Sequence, residues 1–288
     1  MDMREQDGIR IIDRIIAENN IWSAYEKVRK NKGVPGIDGM TVYELHMHLE
    51  EHMPEIRESI LDGSYKPQPV KRVAIPKPDG SKRNLGIPTV IDRTIQQAIL
   101  QIIEPIIDPH FSNHSYGYRK GRNTHQAIEQ AQQYYEEGFK VAVECDLKSY
   151  FDTIHHQRLQ AFLEEFIPEQ HVLKLIWKFL RSGILDKDIY IETTKGAPQG
   201  GPLSPLLANI YLNRLDRELE QRGHRFIRYA DDFVIFVKSI RAGQRVFETT
   251  TRFVEGKLGL TINRKKSKVG GATNCTILGF HIQNLMGK

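Results

Sequence analysis

Cysteine is nearly missing from this chain: Cys145 and Cys275 are the only two in 288 residues. With no CxxC pair, neither a disulfide-dense scaffold nor a CxxC-type zinc site is available. No apolar run approaches the roughly 20 residues a membrane-spanning helix needs, so no membrane partner is expected. Asp2, Glu5 and Asp7 interrupt the first ten residues, so no apolar leader core is read there. There is no internal repeat, no low-complexity segment and no long linker. The GxxxxGK[ST] pattern is absent, which argues against the P-loop way of holding a nucleotide. Cysteine usage and the lack of targeting signals predict a reducing, cytoplasmic setting.

What is present is unevenly placed positive charge. The formal net charge is +5 and the isoelectric point lies near 9.0. Residues 256–288 contain no acidic side chain but carry Lys257, Arg264, Lys265, Lys266, Lys268 and Lys288. Residues 70–93 hold Lys71, Arg72, Lys77, Lys82, Arg83 and Arg93 against Asp79 and Asp92. A charge run alone is more often a solvated surface, but clustering of this kind is also the footprint of a polyanionic partner.

Hydrophobic periodicity predicts an α+β chain with a small antiparallel sheet, not a doubly wound parallel one. Residues 4–31 read as helical, with Asn19-Asn20 as the expected break. Thr41 and Glu44 form a capping-box pattern for a helix reaching residue 61, which Pro54 is expected to divide. Residues 71–76 and 82–86 read as a basic hairpin around a Pro-Asp-Gly-Ser turn. Helices are predicted from Thr89 to about 107, after Asn123-Thr124, at 155–165, 169–182, 205–221 and 242–258. Strands are predicted at 141–145, 189–193, 225–230, 233–238, 267–270 and 275–282.

Four features could carry chemistry. Asp231-Asp232 lies between two strongly apolar strands, so it reads as the acidic tip of a core hairpin. Adjacent carboxylates repel, and oxygen donors suit a hard cation such as Mg²⁺. Asp146 ends the strand at 141–145; if that strand lies beside the hairpin, three carboxylates converge and can hold two metal ions about 3.5–4 Å apart. Asp152 is expected to cap the following helix. The stretch from Lys195 to Pro205 is rich in glycine and proline, and its Gln199 offers an amide where a base pair could lie. On the basic hairpin, Arg72, Lys77 and Arg83 could clamp a triphosphate. Each feature alone has a bland reading: an exposed turn, a strand end, a stiff loop, a charged edge hairpin.

In chain order, these pieces resemble the reverse transcriptases, and most closely the group II intron-encoded type. The matching stretches are 72–80, 85–93, 115–122, 146–152, 198–210, 229–232 and 278–280, and the likeness covers nearly the whole chain. The resemblance implies a right-hand polymerase fold of helical fingers with a basic β-hairpin, and a palm with a small antiparallel sheet. Residues 1–40 would be an amino-terminal extension of the fingers, 41–140 the fingers, 141–153 the palm strand with the first catalytic Asp, 154–185 a helical insertion, and 186–288 the palm. A helical thumb should follow and is not found.

By resemblance, Asp146, Asp231 and Asp232 are catalytic and bind two Mg²⁺ ions, with Leu147 adding a backbone carbonyl. Phe151 resembles the steric gate that excludes a 2′-hydroxyl. Arg72, Lys77, Arg83 and Gln199 would contact the incoming dNTP. Arg29, Lys30, Lys32, Arg119, Arg122 and Gly200 would approach template or RNA, and Leu278-Gly279 resembles the primer grip. The implied partners are an RNA template, a DNA primer, dNTPs and a group II intron RNA; a homodimer is admitted. The competing readings are a non-polymerising RNA-binding maturase fragment, a retron- or CRISPR-associated type, and an RNA-directed RNA polymerase. Phe151 argues against the last.

Overall fold

The computed structural model describes residues 9–76, 80, 82–277 and 280–281; of 276, 277, 280 and 281 it describes the backbone. Walking the chain, α1 (Ile11–Ile15), α2 (Glu18–Lys30) and α3 (Leu45–Leu61) precede the hairpin β1 (Val70–Pro76) and β2 (Lys82–Ile87). Then come α4 (Val90–Ile107), α5 (Thr124–Glu136), β3 (Val141–Cys145), α6 (Tyr150–Thr153), α7 (His156–Glu164) and α8 (Gln170–Leu180). β4 (Ile184–Asp186), β5 (Ile189–Ile191) and α9 (Ser204–Gln221) lead to β6 (Arg225–Tyr229) and β7 (Asp232–Val237). The described part closes with α10 (Ile240–Phe253), a π-helical turn at Val254–Leu258, β8 (Lys268–Gly271), β9 (Thr276–Ile277) and β10 (Phe280–His281).

The chain divides into two compact units, Met1–Pro109 with His155–Leu206, and His110–Ile154 with Leu207–Lys288. In the first, α2 packs along α4, and α1 lies against α4 and α8. Ile12, Ile15, Ile21, Leu45, Ile95 and Ile99 are buried there. Its four-stranded sheet has the order β2-β1-β4-β5. The basic hairpin is therefore not isolated: β4, which the sequence did not reveal, runs parallel to β1 at Val70↔Ile184 and Lys71↔Leu185.

The second unit is built on an antiparallel sheet of order β6-β7-β3-β8. α5 covers β6, and α10 packs on β3, β7 and β8. β3 is the inner strand between β7 and β8, which explains why every residue but Glu144 is buried.

Several boundaries differ from expectation for local reasons. The first helical stretch breaks at Ile16-Ala17, not at Asn19-Asn20. The Asn20 amide donates to the Ile15 carbonyl at 2.8 Å and to Ala98 O at 3.1 Å, so the asparagine ties the two helices together from within α2. Pro54 does not divide α3. A proline removes one backbone bond, but Leu45, Leu49, Met53 and Ile60 are buried on both sides of it and hold the helix through. Thr41 and Glu44 do bond each other's backbone N–H, at 2.8 and 3.3 Å, but they close the turn before α3, whose N-cap is Glu44 with no side-chain cap bond. The strand expected over 275–282 is two short strands paired at Ile277↔Phe280.

Candidate active site

The ladder between β3 and β7 runs from Val141↔Val237 to Cys145↔Phe233. One step further, the same register sets Asp146 beside Asp232, at the spacing of neighbouring strands. The β6–β7 hairpin closes at Tyr229↔Asp232, so its two turn residues are Ala230 and Asp231. This corrects the expected Asp231-Asp232 tip by one residue. A two-residue hairpin turn suits the strand twist when its first residue has positive φ, and Ala230 adopts φ 58°. Asp231 therefore sits in the turn while Asp232 opens the ladder.

These carboxyls feel one another. Burial raises the Asp232 carboxyl to about 6, the charges of Asp231 and Asp146 push it the same way, and Lys266 opposes them. Solvent still reaches Asp232, so its surroundings are crowded rather than sealed and the repulsion is partly screened. Asp146 donates its N–H to Ser267 Oγ at 3.1 Å, and its carbonyl accepts from Asn263 N at 2.8 Å. Lys148 N bonds Thr261 O at 2.8 Å around the Leu147↔Ile262 bridge. In that antiparallel pattern the central residue's own carbonyl faces away from its partner. The Leu147 carbonyl thus points away from the 261–263 segment.

Among the described residues, no three His, Cys, Asp or Glu side chains form a ready-made metal cage. The donors present are all hard oxygens, and the repulsion around Asp232 is what a cation would relieve. The donor set thus fits a divalent ion of the Mg²⁺ type.

Phe151 follows Asp146 on the one-turn helix α6, which is entered through Ser149 at φ 48°. Phe151 is buried and meets Tyr150 and Tyr118 edge-on, with centroids 5.4 and 6.4 Å apart. The Tyr150 hydroxyl donates to Ala208 O at 2.7 Å, fixing the pair from below. Asp152 lies inside α6 and does not cap α7, whose N-cap is His155.

In the first unit, Arg72 pairs with Asp186 at 3.2 Å. Arg72 faces Gly86 across the hairpin, and Arg83 faces Ile75. Because side chains alternate along a strand, Arg72 and Arg83 stand on opposite faces. Lys77 lies outside the described residues, as do Leu278 and Gly279. The Gly196–Ser204 loop docks on β2 at Gly86, whose N–H donates to Gln199 O at 2.9 Å. A Cβ on Gly200 would lie 2.6 Å from Gly86 O, and one on Gly86 would lie 3.1 Å from Pro198 Cβ. The structure thus brings Gln199 and Gly200 to Gly86, the residue paired with Arg72 across the hairpin.

The remaining cations differ in kind. Arg29 is exposed and pairs with Glu26 at 2.8 Å; Lys30 and Lys32 are exposed beside it. Arg119 is buried, donating to Ser112 O and Ser115 O at 2.7 and 3.0 Å, so it braces its own loop rather than presenting a cation. Arg122 bonds Asn113 at 2.7 and 3.0 Å and lies over the Tyr116 ring.

Sequence reading passed over Arg228, Asp216, Asn209 and Gly117, which surround the Ala230-Asp231 turn. A charged residue inside an apolar strand was the available signal for Arg228. Gly86 was visible as a strand glycine, a mark of close backbone approach.

Residues 75–282 match the family described as "Reverse transcriptase (RNA-dependent DNA polymerase)", and the chain belongs to that family of polymerase enzymes. It is 35% identical to protein YkfC of Escherichia coli, over 83% of this chain and 73% of YkfC. It is 30% identical to the group II intron-encoded protein LtrA of Lactococcus lactis, over 95% of this chain and 56% of LtrA. Among solved structures it resembles a chain of a partial Cas6-RT-Cas1–Cas2 complex, with 26% identity, TM-score 0.54, and 87% of this chain but 43% of that one covered. Telomerase from Candida tropicalis, at 12% identity and TM-score 0.58, shares the fold. The chain thus has the fingers–palm type of mixed α/β fold, and it spans little more than half the length of LtrA.

Proposed function

We propose that this chain synthesises DNA on an RNA template, and that its natural template is a group II intron RNA which it also binds to assist splicing. The observation that carries the polymerase reading is the coupling of Asp232 to Asp231 and Asp146 at the strand ends of the antiparallel sheet. The second unit acts as the palm and the first as the fingers, so residues 110–140 go with the palm and 186–206 with the fingers, unlike the division expected from the sequence. Asp146, Asp231, Asp232 and the Leu147 carbonyl hold two Mg²⁺ ions. Bound there, the metal pair supplies activation of the primer 3′-hydroxyl and neutralises charge on the departing pyrophosphate. Phe151, held by Tyr150 and Tyr118, fills the space a ribose 2′-hydroxyl would need. Arg72 and Lys77 neutralise the triphosphate, Arg83, on the opposite face of the hairpin, meets duplex phosphates rather than joining that clamp, and Gln199 with Gly200 lies against the nascent pair. Arg29, Lys30, Lys32 and Arg122 meet template or intron phosphates, and Leu278-Gly279 supports the primer.

The intron assignment is supported by the extent of the likeness. LtrA aligns with 95% of the chain, whereas the retron Mx65 reverse transcriptase of Myxococcus xanthus aligns with 52%. The test is primer extension on RNA with dNTPs or NTPs, with and without Mg²⁺, beside Asp231→Ala. Metal-dependent dNTP incorporation that the variant loses is expected. Absence of extension together with tight, salt-sensitive binding to structured RNA would replace the polymerase with an RNA-binding maturase module.

A further inference from the structure

The Arg228 guanidinium is fully buried, and all five of its N–H groups are used. Nε and Nη2 meet the two Asp216 carboxylate oxygens at 2.7 and 2.6 Å. Nη2 also donates to Ser115 Oγ at 2.8 Å, and Nη1 donates to Asn209 Oδ1 at 2.9 Å. The remaining bond, Nη1 to the Ala230 carbonyl at 2.8 Å, reaches the main chain of the turn itself. A buried ion pair of this kind is poor value as a stabiliser, because desolvating both charges offsets their attraction. Its distinctive product is geometric: a fixed acceptor position one residue before Asp231.

Independent contacts fix the same turn from another side. A Cβ on Gly117 would lie 2.3 Å from Ala230 N and 2.9 Å from the Tyr229 carbonyl carbon, so the Gly117 backbone is the surface on which the turn rests. Asn209 joins the two supports, since its Nδ2 donates to Gly117 O at 2.9 Å while its Oδ1 accepts from Arg228. The backbone of Arg228 is tied as well: its N–H donates to His114 O and its carbonyl accepts from Tyr116 N, both at 2.8 Å.

We propose that Arg228, Asp216, Asn209 and Gly117 form a positioning device that sets the height of the Ala230-Asp231 turn, and through it the spacing of the Asp231 and Asp232 carboxylates for a divalent cation. This rests on the reading of those carboxylates as metal ligands. None of the four need touch substrate; they act through the turn. Like the outer contacts of other metal sites, they are expected to change affinity by roughly 10–100-fold when disturbed.

The test uses Asn209→Ala, which removes both bridging bonds and no charge, and Gly117→Ala, which crowds the turn. Arg228→Lys keeps the charge but not the fork. Ile235→Val, in the buried middle of β7, is the control for plain destabilisation of the same sheet. Mn²⁺ binding is read by electron paramagnetic resonance, alongside melting temperature and primer-extension kcat and KM for dNTP. The expected result is Mn²⁺ affinity weakened at least about tenfold in Asn209→Ala and Gly117→Ala, with kcat lowered, dNTP KM little changed, and partial recovery at high Mn²⁺. Ile235→Val should lower the melting temperature without moving Mn²⁺ affinity. Unchanged Mn²⁺ affinity in both turn variants, beside Asp231→Asn that loses it, would overturn the positioning device alone. Retention of Mn²⁺ affinity by Asp231→Asn would overturn the ligand assignment beneath it.

Discussion

Asp232 joins the end of an inner-sheet ladder to a solvent-touched acidic tip. Its carboxyl is raised to about 6 by burial first and by Asp231 and Asp146 second. A raised acid holds its proton more tightly in the folded chain than in the unfolded one. Its contribution is therefore favourable at low pH and is lost as pH rises from the ordinary carboxylate range through about 6. Without divalent metal, Asp232→Asn should melt higher than the parent at pH 7.5, and the gap should vanish near pH 4. Mg²⁺ should raise the parent's melting temperature and leave the variant's nearly unmoved. A pH-independent difference between the two proteins would refute this account. Phe151 supplies the second prediction at this scale. It is packed between Tyr150 and Tyr118, so shortening it opens space without removing a polar contact. Phe151→Val should lower discrimination of dNTP against NTP by at least about tenfold, read as a ratio of kcat/KM values. An unchanged ratio would remove Phe151 from the sugar pocket.

At the scale of elements, the loop that carries Gln199 is held at both ends of its glycine-proline stretch. Ser204 Oγ donates to Pro198 O at 2.7 Å, and the buried His156 ring bonds Gly196 O at 2.6 Å through Nε2. A carbonyl partner makes Nε2 the N–H donor, which leaves Nδ1 as the buried ring nitrogen without a partner. Burial lowers the His156 pKa, its bond to Gly196 opposes this, and Arg181 and His155 add to the lowering. The folded chain thus favours the neutral ring. That stability is full above the ordinary histidine value and is lost as pH falls through it towards the lowered one. The parent should lose melting temperature between pH 7 and pH 5.5 by more than His156→Gln, whose amide keeps a donor for Gly196. Parallel pH profiles would show that His156 does not report on the loop. The elements themselves were largely legible: caps at Thr89 and Asn123 bond as their residue types foretell, at 3.1 and 3.0 Å. What escaped was β4, whose three residues carry no alternation, and the sharing of a face by hairpin residues, which depends on register. Arg72 and Arg83 looked equivalent in sequence, yet the pairing with Gly86 and Ile75 puts them on opposite sides.

For the whole molecule, positive charge is the property that composition states most directly. The structure tempers it. Within the acid-free stretch after residue 255, Arg264 pairs with Glu255 at 3.7 Å and Lys268 with Glu144 at 3.4 Å. Fewer cations are therefore unspent than the run implies. Binding to an RNA–DNA duplex should still weaken at least about tenfold between 50 and 200 mM salt, since released counterions drive association. Replacing Lys82 and Arg83 together by Gln should reduce the slope of log affinity against log salt by about 1–2. A slope unaffected by that pair would place the duplex elsewhere. No described helix is long and apolar enough to cross a membrane.

Residue type and periodicity by themselves determined the α+β class, the basic hairpin and the acidic pair on a core hairpin, while the family was legible only as a resemblance carried by motifs in chain order. All of these are properties of neighbours along the chain, where spacing and side-chain chemistry act directly. Only the tertiary structure decided which carboxylates meet, because Asp146 and Asp232 are far apart in sequence and are joined by the register of β3 on β7. It also decided the turn residue, placing Ala230 where Asp231 was expected, and it converted Arg119 from a surface cation into a buried brace. Arg228 shows the reason most plainly. Its five donors find four partner residues on three separate stretches of chain, Ser115, α9 with Asn209 and Asp216, and the turn at Ala230, and no local pattern can specify a network that assembles only when the sheet and α9 are packed.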